Sequence, residues 1–116
     1  MTQTIGPRAQ LELFGLPNRP IVGRVYYGTD GVNIKIGYST SPRRRGGELK
    51  LTMLWTFAGT VEDEREHHRR WMRHRINGSE WFRPDPGLLE WLDERVLHGT
   101  VARATLRSLI FRRSQQ

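Results

Sequence analysis

From Arg24 to Gly37 the chain reads RVYYGTDGVNIKIG, two runs of strand-forming residues separated by Asp30-Gly31. That pattern predicts an antiparallel hairpin with a two-residue turn, over about Ile21 to Gly28 and Val32 to Tyr38. In this register Thr29 pairs with Val32, Tyr27 with Ile34 and Tyr26 with Lys35. Side chains alternate across a strand, so Val25, Tyr27, Val32, Ile34 and Ile36 should share the core face. Arg24, Tyr26, Lys35 and Gly37 then share the other. A phenol opposite an ammonium, with arginines close by, predicts a lowered tyrosine pKa.

The rest of the chain follows from the same patterns. Ser41-Pro42 opens a short helix that Gly46-Gly47 weakens, and Leu51 to Phe57 reads as a third strand. Thr60 with Asp63 predicts a capping box and a helix from Val61 to Ile76, ended by Asn77-Gly78. The helix stripe Glu64, His68, Trp71, Arg75 is polar apart from Trp71. Its first turns should therefore face something polar, and the hairpin face bearing Tyr26 and Lys35 is the expected partner. Glu80-Trp81-Phe82 reads as a short extended piece. Asp85-Pro86 caps an amphipathic helix that buries Leu88, Leu89, Leu92 and Val96 and stops at Gly99. Three segments result: an irregular arm over 1–20, a domain over 21–99, and a basic helix or tail over 100–116 carrying Ala102, Leu106, Leu109 and Ile110. The expected fold is a small α/β domain, a three-stranded and mainly antiparallel sheet flanked by helices.

Size and composition narrow the function. The 116 residues allow one modest core. There is no cysteine, so neither a disulfide framework nor a cysteine metal site is available. No apolar run reaches membrane-spanning length, which makes a soluble cytoplasmic protein without membrane contacts the expectation. Of 19 basic residues only Lys35 and Lys50 are lysines, and the net charge is +7. Such a balance favours polyanionic partners, DNA or RNA. His67, His68 and His74 lack companions at zinc spacing.

Val25-Tyr26 followed by Lys35-Ile36-Gly37 resembles the two half-motifs of the GIY-YIG nuclease superfamily. Arg45, eight residues past Gly37, stands where that family keeps its catalytic arginine. Glu64, His68, Trp71, Arg75 and Glu80-Trp81-Phe82 resemble the ordered signature of its small phage and bacterial branch. The resemblance implies a divalent-metal-dependent DNA endonuclease, with Tyr26 as general base, Arg45 as phosphate clamp and Glu64 as ligand of Mg²⁺ or Mn²⁺. Position adds two roles: Lys35 tuning Tyr26, and His68 relaying a proton one turn along from Glu64. DNA phosphates are expected on Arg24, Arg43, Arg44, Lys50, Arg69, Arg70 and Arg73. Two departures stand out, a lysine for the second motif tyrosine and no clear late asparagine. The alternative is a non-catalytic DNA-binding module with the same fold. No separate recognition domain is visible, so site-specific cutting would need a homodimer, a partner protein or a special DNA structure.

Overall fold

The computed structural model describes residues 23–96 and 99–115. The expected N-terminal arm lies outside them. The fold is α/β, and its sheet has four strands where three were expected. Strands β1 (Arg24–Thr29), β2 (Ile34–Ser39), β3 (Thr52–Ala58) and β4 (Trp81–Phe82) are ordered β3-β1-β2-β4, and every pairing is antiparallel. The fourth strand is the Trp81-Phe82 piece, which pairs Ile34 with Phe82 and Lys35 with Trp81.

The hairpin forms, with a longer loop than its Asp-Gly pair suggests. Thr29 pairs with Ile34, Tyr27 with Ile36 and Tyr26 with Gly37. The Asp30 carboxylate accepts from the backbone N–H of Val32 at 2.8 Å and of Asn33 at 2.9 Å. The Thr29 hydroxyl donates to the Asn33 carbonyl at 2.7 Å and accepts from Gly31 N–H at 3.0 Å. These side-chain bonds close a four-residue loop, with Gly31 at φ +98° supplying the left-handed step. The register therefore moves by two, which keeps every β-residue on its expected face. Val32 is the exception: it leaves the strand for the loop and is 61% exposed.

Helices fill both sides. Helix α1 (Pro42–Leu49) opens at Pro42, contains Gly46 and Gly47, and closes at Lys50 with φ 57°. Helix α2 (Val61–Arg70) begins with the expected capping box: Asp63 N–H donates to the Thr60 hydroxyl, and Thr60 N–H to the Asp63 carboxylate. It ends six residues earlier than expected. Trp71 leaves helical geometry, a 3-10 turn covers Met72–His74, and Arg75 bridges to Phe82. The segment turns back because Ile76 N–H donates to the Trp81 carbonyl and Arg83 N–H to the His74 carbonyl. Helix α3 (Pro86–Asp93) is capped by Asp85, whose carboxylate accepts from Gly87 N–H at 2.8 Å. It stops at Asp93 rather than Gly99, and Gly99 instead precedes helix α4 (Thr100–Ser114).

Val25, Tyr27, Ile34, Ile36, Leu54 and Phe82 meet Leu88, Leu89, Leu92, Val96, Leu106 and Leu109 in one core. Each fully buried leucine there contributes about 1.5–3 kcal/mol relative to exposure. Arg103 ties α4 to α3 through Asp93 and the Val96 carbonyl. Among the described residues, no helix is long and apolar enough to cross a membrane.

Candidate active site

The site is built on the sheet face opposite that core. Tyr26 is 2% exposed, although it points away from the apolar layer. Its ring lies across Gly37, its partner on β2. A Cβ at Gly37 would stand 2.5 Å from the Tyr26 ring carbon Cζ and from its hydroxyl. Only a glycine lets the phenol lie flat over the strand.

Beside it, Lys35 holds a 2.8 Å ion pair to Glu80 and sits 5.5 Å over the Trp81 ring. The lysine side chain is only 13% exposed. Its register partner on β1 is Gly28, not Tyr26, so the expected phenol–ammonium pairing is absent. The expected lowering of the Tyr26 pKa is overturned with it. Burial pushes that pKa up to about 12, and the charges of Glu80 and Glu64 add to the rise, while Arg45 opposes it. At neutral pH the Tyr26 side chain is a protonated phenol.

Helix α2 does not lie over this face as expected; it packs on the opposite, core face, where the His67 ring meets Tyr27 of β1 and Phe57 of β3, and it reaches the edge of β2 through His68. Ile36 N–H donates to the Glu80 carbonyl at 3.0 Å, while the Ile36 carbonyl accepts from His68 Nε2 at 2.8 Å. Two-residue β4 thus runs out, and the helix takes over the edge. His68 is consequently buried, its ring 5.4 Å from that of Phe82. Its Nε2 is committed to tethering α2 and only 3.8 Å from the Glu64 carboxylate, which puts it in a structural position rather than that of an open proton relay.

Glu64, 12% exposed, precedes it by one turn. Burial raises its pKa, and the like charge of Glu80 raises it further against the pull of His68, Lys35 and Arg65. Two carboxylates that act on each other beside a phenol make a donor set suited to a hard divalent cation, with water and phosphate oxygens completing its shell. Among the described residues, no three His, Asp or Glu side chains converge. A protein-only cage is therefore not what these residues offer; one or two carboxylates are.

The basic residues divide between two sides. Arg45 stands exposed on α1, close enough for its charge to act on Tyr26. Arg24 and Arg43 line an adjacent groove of about 460 Å³ together with Gly46, Met53 and Thr56. Arg24 also donates to the Thr56 hydroxyl at 3.0 Å. Arg44 pairs with Glu48 at 3.6 Å along α1, and Lys50 is exposed at its end. Arg70 belongs elsewhere, 5.1 Å over the Trp91 ring, and its charge acts on Tyr27 and His67. Arg69 and Arg73 are exposed near it in sequence, away from the groove lining.

Two features escaped the sequence reading. Glu80 enters the site through Lys35, and the available signal was the need of a half-buried lysine for a counter-ion. On the core side, Trp71 Nε1–H donates to the Tyr27 hydroxyl at 3.2 Å, and the hydroxyl oxygen lies 2.5 Å from His67 Nδ1. With the indole as donor, the neutral His67 tautomer that leaves Nδ1 as acceptor takes the hydroxyl proton. Here the signal was His67 and Trp71 four residues apart on one helix, facing a core tyrosine. No family model, curated protein or solved structure matches the chain.

Proposed function

We propose that this protein is a divalent-metal-dependent DNA endonuclease of the GIY-YIG type, hydrolysing phosphodiester bonds. The observation that carries the proposal is the electrostatic convergence on Tyr26. Arg45 from α1, Glu64 from α2 and Glu80 from the approach to β4 all act on that phenol, and Lys35 of β2 acts on Glu64 and pairs with Glu80. These groups, far apart in the chain, are gathered by the hairpin, two helices and the approach to β4. They supply a proton acceptor, a phosphate clamp and carboxylate ligands for a hard cation, the parts that phosphodiester hydrolysis requires.

In this reading Tyr26 acts in its minor phenolate form: water attacks phosphorus, the phenolate takes the proton of the water, the bond to the leaving oxygen breaks, and the leaving oxygen takes a proton from solvent. Arg45 holds the phosphoryl oxygens, with Arg24 and Arg43 along the flanking strand. Burial is the main reason that the phenol stays protonated; when bound at Glu64, Mg²⁺ would offset the carboxylate charges that add to this effect and would neutralise the phosphoryl oxygens. Lys35, fixed by Glu80, adds a second cation on the same side.

Cleavage of supercoiled plasmid by wild type and Glu64→Gln, with Mg²⁺ and with EDTA, is the direct test. Nicking or linearisation lost in both the variant and EDTA is expected; cutting that survives the substitution would mean that the site is wrongly assigned. A second reading is a non-catalytic DNA-binding module, and the protonated resting state of Tyr26 favours it. It is distinguished by Glu64→Gln: a binder keeps or gains DNA affinity and has no cutting to lose.

A further inference from the structure

A second basic groove, of about 270 Å³, lies beyond the end of the hairpin, where the Gly31–Asn33 loop faces Arg83, Arg112 and Arg113. No carboxylate among the described residues lines it. Its position follows from the sheet. Lys35 of the candidate site pairs with Trp81, and the groove begins two residues further along each strand, at Asn33 and Arg83. Two residues of strand span roughly 7 Å, so the groove lies at the loop end of the same β2–β4 edge, where Leu109 and the arginines of α4 close it from the core side of the sheet.

The loop cannot itself serve as an anion nest. The N–H groups of Gly31, Val32 and Asn33 are already taken by Thr29 and Asp30. Recognition is left to guanidinium groups, and Arg83 and Arg112 are both exposed. The Arg83 guanidinium makes a long 3.4 Å bond to the Arg73 carbonyl. Among the described residues, neither Arg83 nor Arg112 forms an ion pair with an acidic side chain. Guanidiniums from two different elements, set around a gap with no opposing carboxylate, match the fork geometry of phosphate oxygens.

We infer that this groove is a second phosphate-binding site for the nucleic-acid backbone, engaged by Arg83 and Arg112 on the strand that leaves the cleavage site. The inference rests on the reading of DNA as substrate. It gives the protein a footprint that extends past the scissile phosphate toward the hairpin loop, in addition to the Arg24–Arg43 groove beside α1.

The test is duplex affinity in EDTA across a salt series, for wild type, the double variant Arg83→Gln/Arg112→Gln, and Arg107→Gln as a charge control exposed elsewhere on α4. Each duplex phosphate that the protein ceases to neutralise lowers the slope of log K against log salt by about 0.9. The slope of the double variant should therefore be shallower by about 1.8. Its binding at physiological salt should be at least tenfold weaker, while Arg107→Gln keeps the wild-type slope. Equal slopes for wild type and the double variant overturn the inference and leave the nuclease reading intact. A control whose slope falls as much per charge as that of the double variant also overturns it, since net charge alone would then explain the effect. Wild type without salt-dependent DNA binding would end the DNA reading itself, and the second site with it.

Discussion

The Tyr26 ring rests on Gly37 of the neighbouring strand so closely that a single methyl group there would come within 2.5 Å of the phenol. Gly37→Ala must therefore tilt the ring or spread the strands. Such overpacking costs about 1–3 kcal/mol of stability. Cleavage should fall at least a hundredfold, and the thermal midpoint should drop as well. Tyr26→Phe should lose cleavage to the same extent with little change in the midpoint. Plasmid cleavage and thermal melts of the two variants separate placement of the phenol from its chemistry. Full activity in Gly37→Ala would remove the phenol from the reaction.

The protonation of Tyr26 sets a pH dependence. With its pKa near 12, the phenolate fraction grows about tenfold per pH unit through the neutral range. Single-turnover cleavage should rise with a log–log slope near one between about pH 7 and 9 if the phenolate is the base. A rate that is flat or declining over that window would assign the proton transfer to another group.

Glu64 should trade stability for function. Its pKa is raised in the fold, so the folded state holds this proton to higher pH than the unfolded chain does. The stabilising effect of the bound proton is complete below the ordinary glutamate value and disappears as pH rises through the folded value. At pH 7 the ionised carboxylate is a net cost. Glu64→Gln should raise the melting temperature at pH 7, by a few degrees, and the gain should shrink toward pH 4. Melting curves at the two pH values, beside the cleavage assay, check the sign.

How far the sequence carried the fold depended on periodicity. The period of two assigned Val25, Tyr27, Ile34 and Ile36 to the core regardless of register, because the loop lengthened by an even shift. The register itself depended on which backbone groups the Asp30 and Thr29 side chains would capture, and the Asp-Gly pair does not encode that. Strand β4 has two residues and no periodicity to read, so Glu80 could not be brought to Lys35 before the strand was seen to pair. Tyr26, Glu64 and Arg45 were legible as a set; their mutual electrostatics, which reverse the expected direction for Tyr26, required knowing how deeply the phenol is buried.

His67 makes a separate prediction on the core side. Burial lowers its pKa, and the charge of Arg70 lowers it further. The unfolded chain therefore takes up the proton first as pH falls. Stability is complete above the ordinary histidine value of about 6.5 and is lost as pH drops below it through the folded value. Protonation at Nδ1 would also displace the hydrogen bond from Tyr27. His67→Phe should cost about 1–3 kcal/mol at pH 7.5, where it leaves the Tyr27 hydroxyl without its acceptor. The difference from wild type should narrow by pH 5, and urea unfolding at both pH values measures it.

Tyr26 and Tyr27 are neighbours in the chain and yet belong to opposite layers, one over Gly37 and the other bonded to His67 and Trp71. Inserting or deleting one residue in the Asp30–Asn33 loop would slide β2 by a single position against β1, bringing Gly37 opposite Val25 or Tyr27 instead of Tyr26. The phenol would then meet a side chain where it now meets none, and the core would receive Lys35 or Gly37 in place of an isoleucine. Length variants of this loop should consequently survive in steps of two and fail in steps of one, so that heritable change in the hairpin is filtered by parity before it is filtered by chemistry.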